Sequence, residues 1–360
     1  MSAHLGGSSL TRVKSTVKTA LNRTPTAKAF AYVANDFTRG WKQRLGHIQS
    51  ESGSTHRNLE VEESVRYVEE VFNDYIVYGN LDEVRGTAAE VGPGDNAGVA
   101  LLLRAAGCEA VDLVDRFRSR RDAEQQRRIY LTLAARHGLP TAALRDEDLP
   151  GITWRFGSSA EAYFARRARQ APGGCYDLIV SRATLEHLYD PLGAIKSMTA
   201  CLKPGGRMLH KIDFRDHGMF TPAQPELTYL RYPAWLHRQM TQRSGRPNRV
   251  LLHQYRELAE QLSSAGELTT QILVTSLVGE KEIVPHIPYT GLFPDPALQR
   301  AVARVEAGRA RMAREFAQVS SQELAVTGIF WVSLRPNPVQ SSMAATRATR
   351  AGSGARIARG

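Results

Sequence analysis

Apolar positions in the first half of the chain follow two alternating rhythms. Between residues 62 and 78, Val65, Tyr67, Val68, Val71, Phe72, Tyr75 and Ile76 return at steps of three and four, which predicts an amphipathic helix. Beyond it, short runs of small or β-branched residues each stop at a polar residue or a glycine. The runs are 88–91 before Gly92, 110–114 before Asp115, 152–156 before Gly157, 176–180 before Ser181 and 207–212 before Asp213. Helix-forming stretches at 97–106, 118–137, 159–171 and 191–202 separate them. Strands that alternate with helices predict a parallel sheet with helices on both faces.

The pattern then changes. Residues 214–250 lose periodicity and gather aromatic residues, prolines and arginines. A helix is predicted over 253–265, a strand over 269–278, a helix over 297–318 and a last strand over 328–334. The two late strands are expected to form a hairpin-like pair at one edge of the sheet. The chain thus divides into a basic N-terminal extension (1–60), one folded domain (61–336) with a substrate-covering insert (214–262), and a basic tail (337–360) expected to be disordered.

Ligands of open parallel sheets bind beyond the C-terminal ends of the strands, so the residues gathered there carry the chemistry. The first such turn lies in A-E-V-G-P-G-D-N-A-G (89–98). Gly92 and Gly94 let backbone N–H groups approach a ligand that side chains would block. Asp115, about twenty residues further on, is suited to accept both hydroxyls of a ribose. Capping the following helix is its alternative role.

Composition narrows the partners. With 360 residues, 42% of them hydrophobic, the chain can bury a sizeable core. The net charge is +11, but residues 1–35 carry five bases and residues 336–360 four, with no acid in either stretch. Nine of the eleven charges therefore belong to the ends. A nucleic-acid enzyme would concentrate them on the folded face that meets phosphate, so no specific nucleic-acid partner is expected. The basic ends suit solvated extensions, with a transit peptide or a peripheral membrane contact as the alternatives for the N-terminal one. Cys108, Cys175 and Cys201 lack metal-ligand spacing, so free thiols and no metal site are expected. No apolar run approaches the roughly 20 residues of a membrane span. With no secretory signal pattern either, a cytoplasmic protein is expected.

Four segments together resemble the class I S-adenosylmethionine-dependent methyltransferases, of the type 11-like bacterial kind acting on small molecules or glycans. They are the glycine turn at 89–98, the acid in D-L-V-D-R-F (112–117), Y-D-L-I-V-S-R-A-T-L-E-H-L-Y-D-P (176–191) and L-K-P-G-G-R-M-L-H-K-I-D (202–213). The resemblance covers about residues 62–280. It implies a Rossmann-like α/β fold: a mostly parallel seven-stranded sheet, helices on both faces and an antiparallel edge strand. It also implies S-adenosyl-L-methionine as cofactor. By that resemblance Glu90, Gly92 and Gly94 would line the methionine portion and Asp115 would bind the ribose. Ser158 and Ser159 would sit near the adenine, and Ser181 and Arg182 would flank the methyl group. Two positions depart from the family pattern: Asn96 stands where a third glycine is common, and Ser158 where an aspartate is common.

Methyl transfer is an in-line displacement, so alignment and exclusion of water come first. A hydroxyl acceptor also needs a general base. His217 and Asp213 are the leading candidates, because they follow the fifth strand and open the insert; His187 is a third. His210 lies inside a strand and is read as a core residue. In the insert, Tyr229, Tyr232, Trp235 and His237 would wall an acceptor pocket, with Arg231, Arg238 and Arg249 available for a phosphate or carboxylate. Covering the edge of the sheet is the other role open to these aromatics. The N-P-P-[YF] motif of base-flipping amino-methyltransferases is absent after the fourth strand, which argues against nucleobase amino groups. The expected function is O-methylation of a small-molecule or glycan-type acceptor. A non-catalytic cofactor-binding scaffold is one alternative. An NAD-dependent dehydrogenase is another, and it leaves the L-K-P-G-G segment unexplained.

Overall fold

The computed structural model of the protein describes residues 24–46, 49–50, 53–141, 144, 148–220, 226–292 and 295–337. Its strands are β1 (Gln49–Ser50), β2 (Gly86–Val91), β3 (Cys108–Asp115), β4 (Arg118–Ser119), β5 (Ile152–Phe156), β6 (Tyr176–Arg182), β7 (Leu202–Asp213), β8 (Thr269–Leu277), β9 (Ile287–Pro288) and β10 (Val326–Leu334). Its helices are α1 (Pro25–Arg44), α2 (Val61–Gly79), α3 (Gly98–Ala105), α4 (Ala123–His137), α5 (Ala160–Gln170), α6 (Pro191–Cys201), α7 (Ala234–Thr241), α8 (Leu252–Ser264), α9 (Pro296–Arg309) and α10 (Ser321–Ala325).

Eight strands form one sheet in the order β5-β3-β2-β6-β7-β10-β8-β9. Pairs β5·β3, β3·β2, β2·β6 and β6·β7 are parallel; β10 runs antiparallel to both β7 and β8. The expected Rossmann-like α/β class is the one observed. One detail differs from the expectation. A short antiparallel β9 adds an eighth strand at the edge. The two late strands, β8 and β10, are antiparallel neighbours toward that edge as expected, with β10 between β7 and β8. Its composition explains this: Ile329, Phe330 and Trp331 are all fully buried, which requires cover on both faces.

Strand parity distributes the core. Ala89, Ile179, Met208, Val274 and Ile329 point into one apolar layer with Phe164 of α5, Met198 of α6 and Leu258 of α8. Their neighbours Ala88, Val180, Leu209, Leu273 and Phe330 point into the opposite layer, against Val68 of α2, Leu102 of α3 and Leu133 of α4. Successive residues of a strand face opposite ways, so one adjacent pair per strand serves both layers.

Helix starts at the strand ends are fixed by side-chain caps. Asp122 accepts from the Gln125 amide at 2.9 Å, Ser159 from Ala162 at 3.3 Å and Asp190 from Gly193 at 2.9 Å. The predicted helix 118–137 starts later, at 123, because Arg118–Ser119 pairs with β1. The predicted strand 207–212 starts earlier, at Leu202, so the K-P-G-G segment belongs to β7 rather than to the preceding helix.

Part of the N-terminal extension is helical. Helix α1 packs against α7 and the segment after it. Asp36, fully buried, accepts from the Arg243 amide at 2.9 Å and from its guanidinium at 3.3 Å. Gln43 donates to the Arg243 carbonyl at 2.6 Å, and the Arg246 guanidinium lies 4.3 Å from the Tyr32 ring centre. Phe30, Phe37, Trp41 and Leu45 remain more than half exposed on the outer side. Most of the basic N-terminal stretch, and the tail after 337, lie outside the described residues. Among the described residues no helix is long and apolar enough to cross a membrane.

Candidate active site

A cavity of about 210 Å³ opens at the C-terminal ends of β2, β3, β5 and β6. Gly92, Gly94, Asp115 and Ser159 line it, as do Ala183, Thr184 and His187 beyond β6. Arg39 of α1, Gly53, and Ser244-Gly245 of the insert line it as well.

The two glycines of the first turn are required for a reason that the sequence did not show. Both have left-handed backbones, φ +71° at Gly92 and +68° at Gly94. A Cβ on Gly92 would run into the Thr184 side chain, and one on Gly94 would come within 2.7 Å of the Gly53 carbonyl oxygen. The turn is thus pressed against protein on both sides as well as facing the cavity. Buried polar groups brace it. Asp95 accepts from the amides of His56 (3.2 Å) and Arg57 (2.8 Å), and its own amide donates to Gly53 at 2.9 Å. Asn96, at the place of the absent third glycine, accepts from Gly98 at 2.6 Å and donates to Gln126 at 2.5 Å. An asparagine here anchors the start of α3.

Asp115 ends β3 with its carboxylate on the cavity wall. Burial pushes it up to about 6, against the pull of the Phe117, Arg116 and Gly94 amides. Glu90 does not itself line the cavity; it lies just before Val91 and Gly92, which do. It is buried, one carboxylate oxygen has no hydrogen-bond partner, and burial pushes it up to about 8. Ser159 reaches the cavity whereas Ser158 is not among its walls.

Ser181 and Arg182 turn away from the cavity. The Ser181 hydroxyl is buried against Nδ1 of His210 at 2.8 Å, and burial lowers that imidazole to about 3, so it stays neutral inside the sheet. Arg182 leans over the other face and binds Asp74 at 2.6 Å and Glu70 at 2.7 Å on α2. Parity explains both positions: Ser181 shares the side of Ile179, and Arg182 that of Val180. The residues that do occupy the place beyond β6 are Ala183 and Thr184, with Ala183 at φ +50°.

The three acid–base candidates are together. His187 and His217 meet edge to face with ring centres 4.9 Å apart. Nε2 of His217 lies 3.3 Å from Asp213 and 3.7 Å from Glu186. Burial alone would raise Asp213; hydrogen bonds from His217 and from Arg215, which grips both oxygens at 2.5 to 3.0 Å, hold its carboxyl well below the usual range. His187 hydrogen-bonds the Gly245 carbonyl through Nδ1 at 2.8 Å, and burial followed by the neighbouring His217 lowers it to about 4. Glu186, which the sequence reading passed over beside His187, is buried, and burial holds its carboxyl well above the usual range.

The insert contributes differently from expectation. Tyr229 is buried and donates to the Phe214 carbonyl at 2.7 Å, Tyr232 stacks on Phe220, and His237 is buried against the Pro247 carbonyl at 3.2 Å. Arg249 is held by Glu315 at 2.5 Å, and Trp235 points to solvent. Tyr229, Tyr232 and His237 fill a core beneath the insert, while Ser244 and Gly245 reach the cavity. Arg39 and Gly53 were missed too, because neither lies in a recognisable motif.

A cavity beyond the strand ends, with a glycine turn opposite an acid, defines a nucleotide-type site on a doubly wound sheet. The sequence profile of a methyltransferase domain matches residues 66–266, and the chain belongs to that family. No curated protein matches it in sequence. Among solved structures it is similar to a phosphoethanolamine N-methyltransferase of Haemonchus contortus, at 15% identity and a TM-score of 0.36 over 78% of this chain and 59% of that one. The chain thus spans less than two thirds of that enzyme's length. It is also similar to an S-adenosylmethionine-dependent methyltransferase from Mesorhizobium loti (13% identity, TM-score 0.36, 74% of this chain and 99% of that one). A third similar structure is an N-methyltransferase from Bradyrhizobium japonicum (13% identity, TM-score 0.33, 78% and 89%).

Proposed function

We propose that the protein is an S-adenosylmethionine-dependent methyltransferase that methylates an oxygen of a small-molecule or glycan-type acceptor. The observation that carries this reading is that Gly92, Gly94, Asp115 and His187 line one cavity. Asp115 would take the ribose hydroxyls, and Ser159 the adenine side. The methionine portion would lie along the turn after β2, with the sulfonium methyl aimed past Ala183 and Thr184.

An acceptor hydroxyl would then meet the His187–His217 pair. His217 takes the hydroxyl proton while Asp213, kept ionised by Arg215, orients the ring and stabilises its charged form. The oxygen bonds to the methyl carbon as the carbon–sulfur bond breaks, leaving a neutral thioether. An acid–base pair beside the cavity favours oxygen over an amine acceptor, which arrives with its own lone pair once neutral.

The test is transfer of label from methyl-tritiated S-adenosylmethionine to fractions of a cell extract. Labelled product that resists mild acid and base as an ether does would support the reading. Cofactor binding in calorimetry with no labelled fraction would favour a non-catalytic cofactor-binding protein instead.

A further inference from the structure

We propose that Glu186, His187 and His217 form a binding site for a divalent first-row transition-metal ion. One donor atom from each lies within 4.8 Å of the others. A formed centre with bonds of about 2.0–2.1 Å holds its donors about 3.3 Å apart, so small side-chain rotations close the set.

Two further observations point to a ligand. Glu186 is only 2% exposed, and apart from a weak pull from its own amide and that of Asp213 its carboxylate oxygens have no hydrogen-bond partner. A buried carboxylate without a partner is costly, and a cation would satisfy both oxygens at once. Nε2 of His217 is 3.7 Å away, too far for a hydrogen bond. Second, His187 bonds the Gly245 carbonyl through Nδ1 at 2.8 Å. A backbone acceptor on one ring nitrogen leaves the other with a free lone pair, the usual support of a metal-bound imidazole.

His217 adds a third sign, since it holds its ring toward His187 from a left-handed backbone, φ +49°. Such conformations are retained where the surrounding structure demands a side-chain position. Asp213 is gripped by Arg215 and lies 3.3 Å from Nε2 of His217, so it orients a ligand of the site rather than completing it. Two imidazoles and one carboxylate suit zinc, cobalt, manganese or ferrous ions better than magnesium or calcium. Coordination positions would stay open toward the cavity, where His187 is part of the wall.

The inference goes beyond the methyl-transfer reading and changes one role within it. A cation would occupy the imidazole lone pairs, so it, and not His217, would lower the pKa of a bound hydroxyl, whose proton would leave to water.

The test is titration of the chelator-treated full-length protein with cobalt(II) alone, followed by visible absorption, with no methyl donor present. Expected are one saturable cobalt ion per chain, the absorption of a low-coordinate site, and at least tenfold weaker binding in both Glu186→Gln and His217→Asn. His217 is partly exposed and Glu186→Gln replaces a buried, protonated carboxyl with an amide of similar shape, so thermal melting of both variants should stay close to the parent. No saturable binding, or binding unchanged in both variants, would overturn the site and leave methyl transfer with His217 as base untouched. Failure of methyl transfer alone would leave the cobalt result standing.

Discussion

Glu90 should release a proton when the methyl donor binds. Its carboxyl is buried and pushed up to about 8, so about nine-tenths of it is protonated at pH 7. The donor carries net positive charge in its methionine portion, which the proposed pose lays along the turn that begins two residues later. Two residues of strand are about 7 Å. At that distance, with an effective dielectric constant of about 20, the attraction is about 2 kcal/mol, or roughly 1.7 pH units. The carboxyl would fall to about 6.3 and its protonated fraction at pH 7 to about one-sixth, releasing about 0.7 proton per donor bound. Titration calorimetry in two buffers of different ionisation enthalpy reads this directly. The release should shrink to about 0.1 at pH 9, and Glu90→Gln should abolish it and weaken binding more at pH 9 than at pH 6. The demethylated product, without the sulfonium charge, should release less. Equal heats in the two buffers at pH 7, or an undiminished release in Glu90→Gln, would refute the placement of the donor beside β2.

The same carboxyl predicts a stability effect whose sign follows from linkage. The folded state holds a proton that the unfolded chain loses near 4.5, so stability falls as pH rises from about 4.5 to about 8. At pH 7 the cost is about 2.5 pH units, or about 3 kcal/mol as an upper figure, and Glu90→Gln should melt progressively higher than the parent across that range. Gly92→Val should abolish donor binding, because it forces a β-branched residue to φ +71° and into Thr184; unchanged calorimetric affinity would contradict the cradle. His217→Ala should slow methyl transfer by at least about a hundredfold with donor affinity within about threefold, checked by single-turnover rates beside calorimetry. Arg243→Met should leave buried Asp36 with one backbone partner, cost about 2 kcal/mol and free α1; faster proteolysis between residues 25 and 46 is the readout.

The sheet was legible in the sequence because five of its strands end in residues of unlike chemistry and are separated by stretches of helix length. The turn at 90–98 and Asp115 were legible for the same reason, since strand ends converge on one edge of the sheet. Ser181 and Arg182 show the limit. In a strand buried on both faces, apolar alternation does not reveal which residue looks toward the ligand, and the two were assigned to a cavity that neither faces. The N-terminal half-turns of the site were hidden for a different reason. Asp36 and Arg243 are 207 residues apart. Gly53 meets Gly94 through backbone atoms alone, and no composition or period encodes such a contact. The insert misled because aromatic side chains suit a sugar pocket and a buried layer equally well; only the hydrogen bonds of Tyr229 and His237 to backbone carbonyls separate the two.

The central claim is that the cavity between the glycine turn, Asp115 and His187 holds the methyl donor. A crystal structure of the protein with S-adenosylhomocysteine tests it most directly. The ribose hydroxyls should lie on the Asp115 carboxylate, the adenine beside Ser159, and the sulfur should face Ala183, Thr184 and His187. A homocysteine derivative bound elsewhere, or a cavity that excludes it at saturating concentration, would contradict the account.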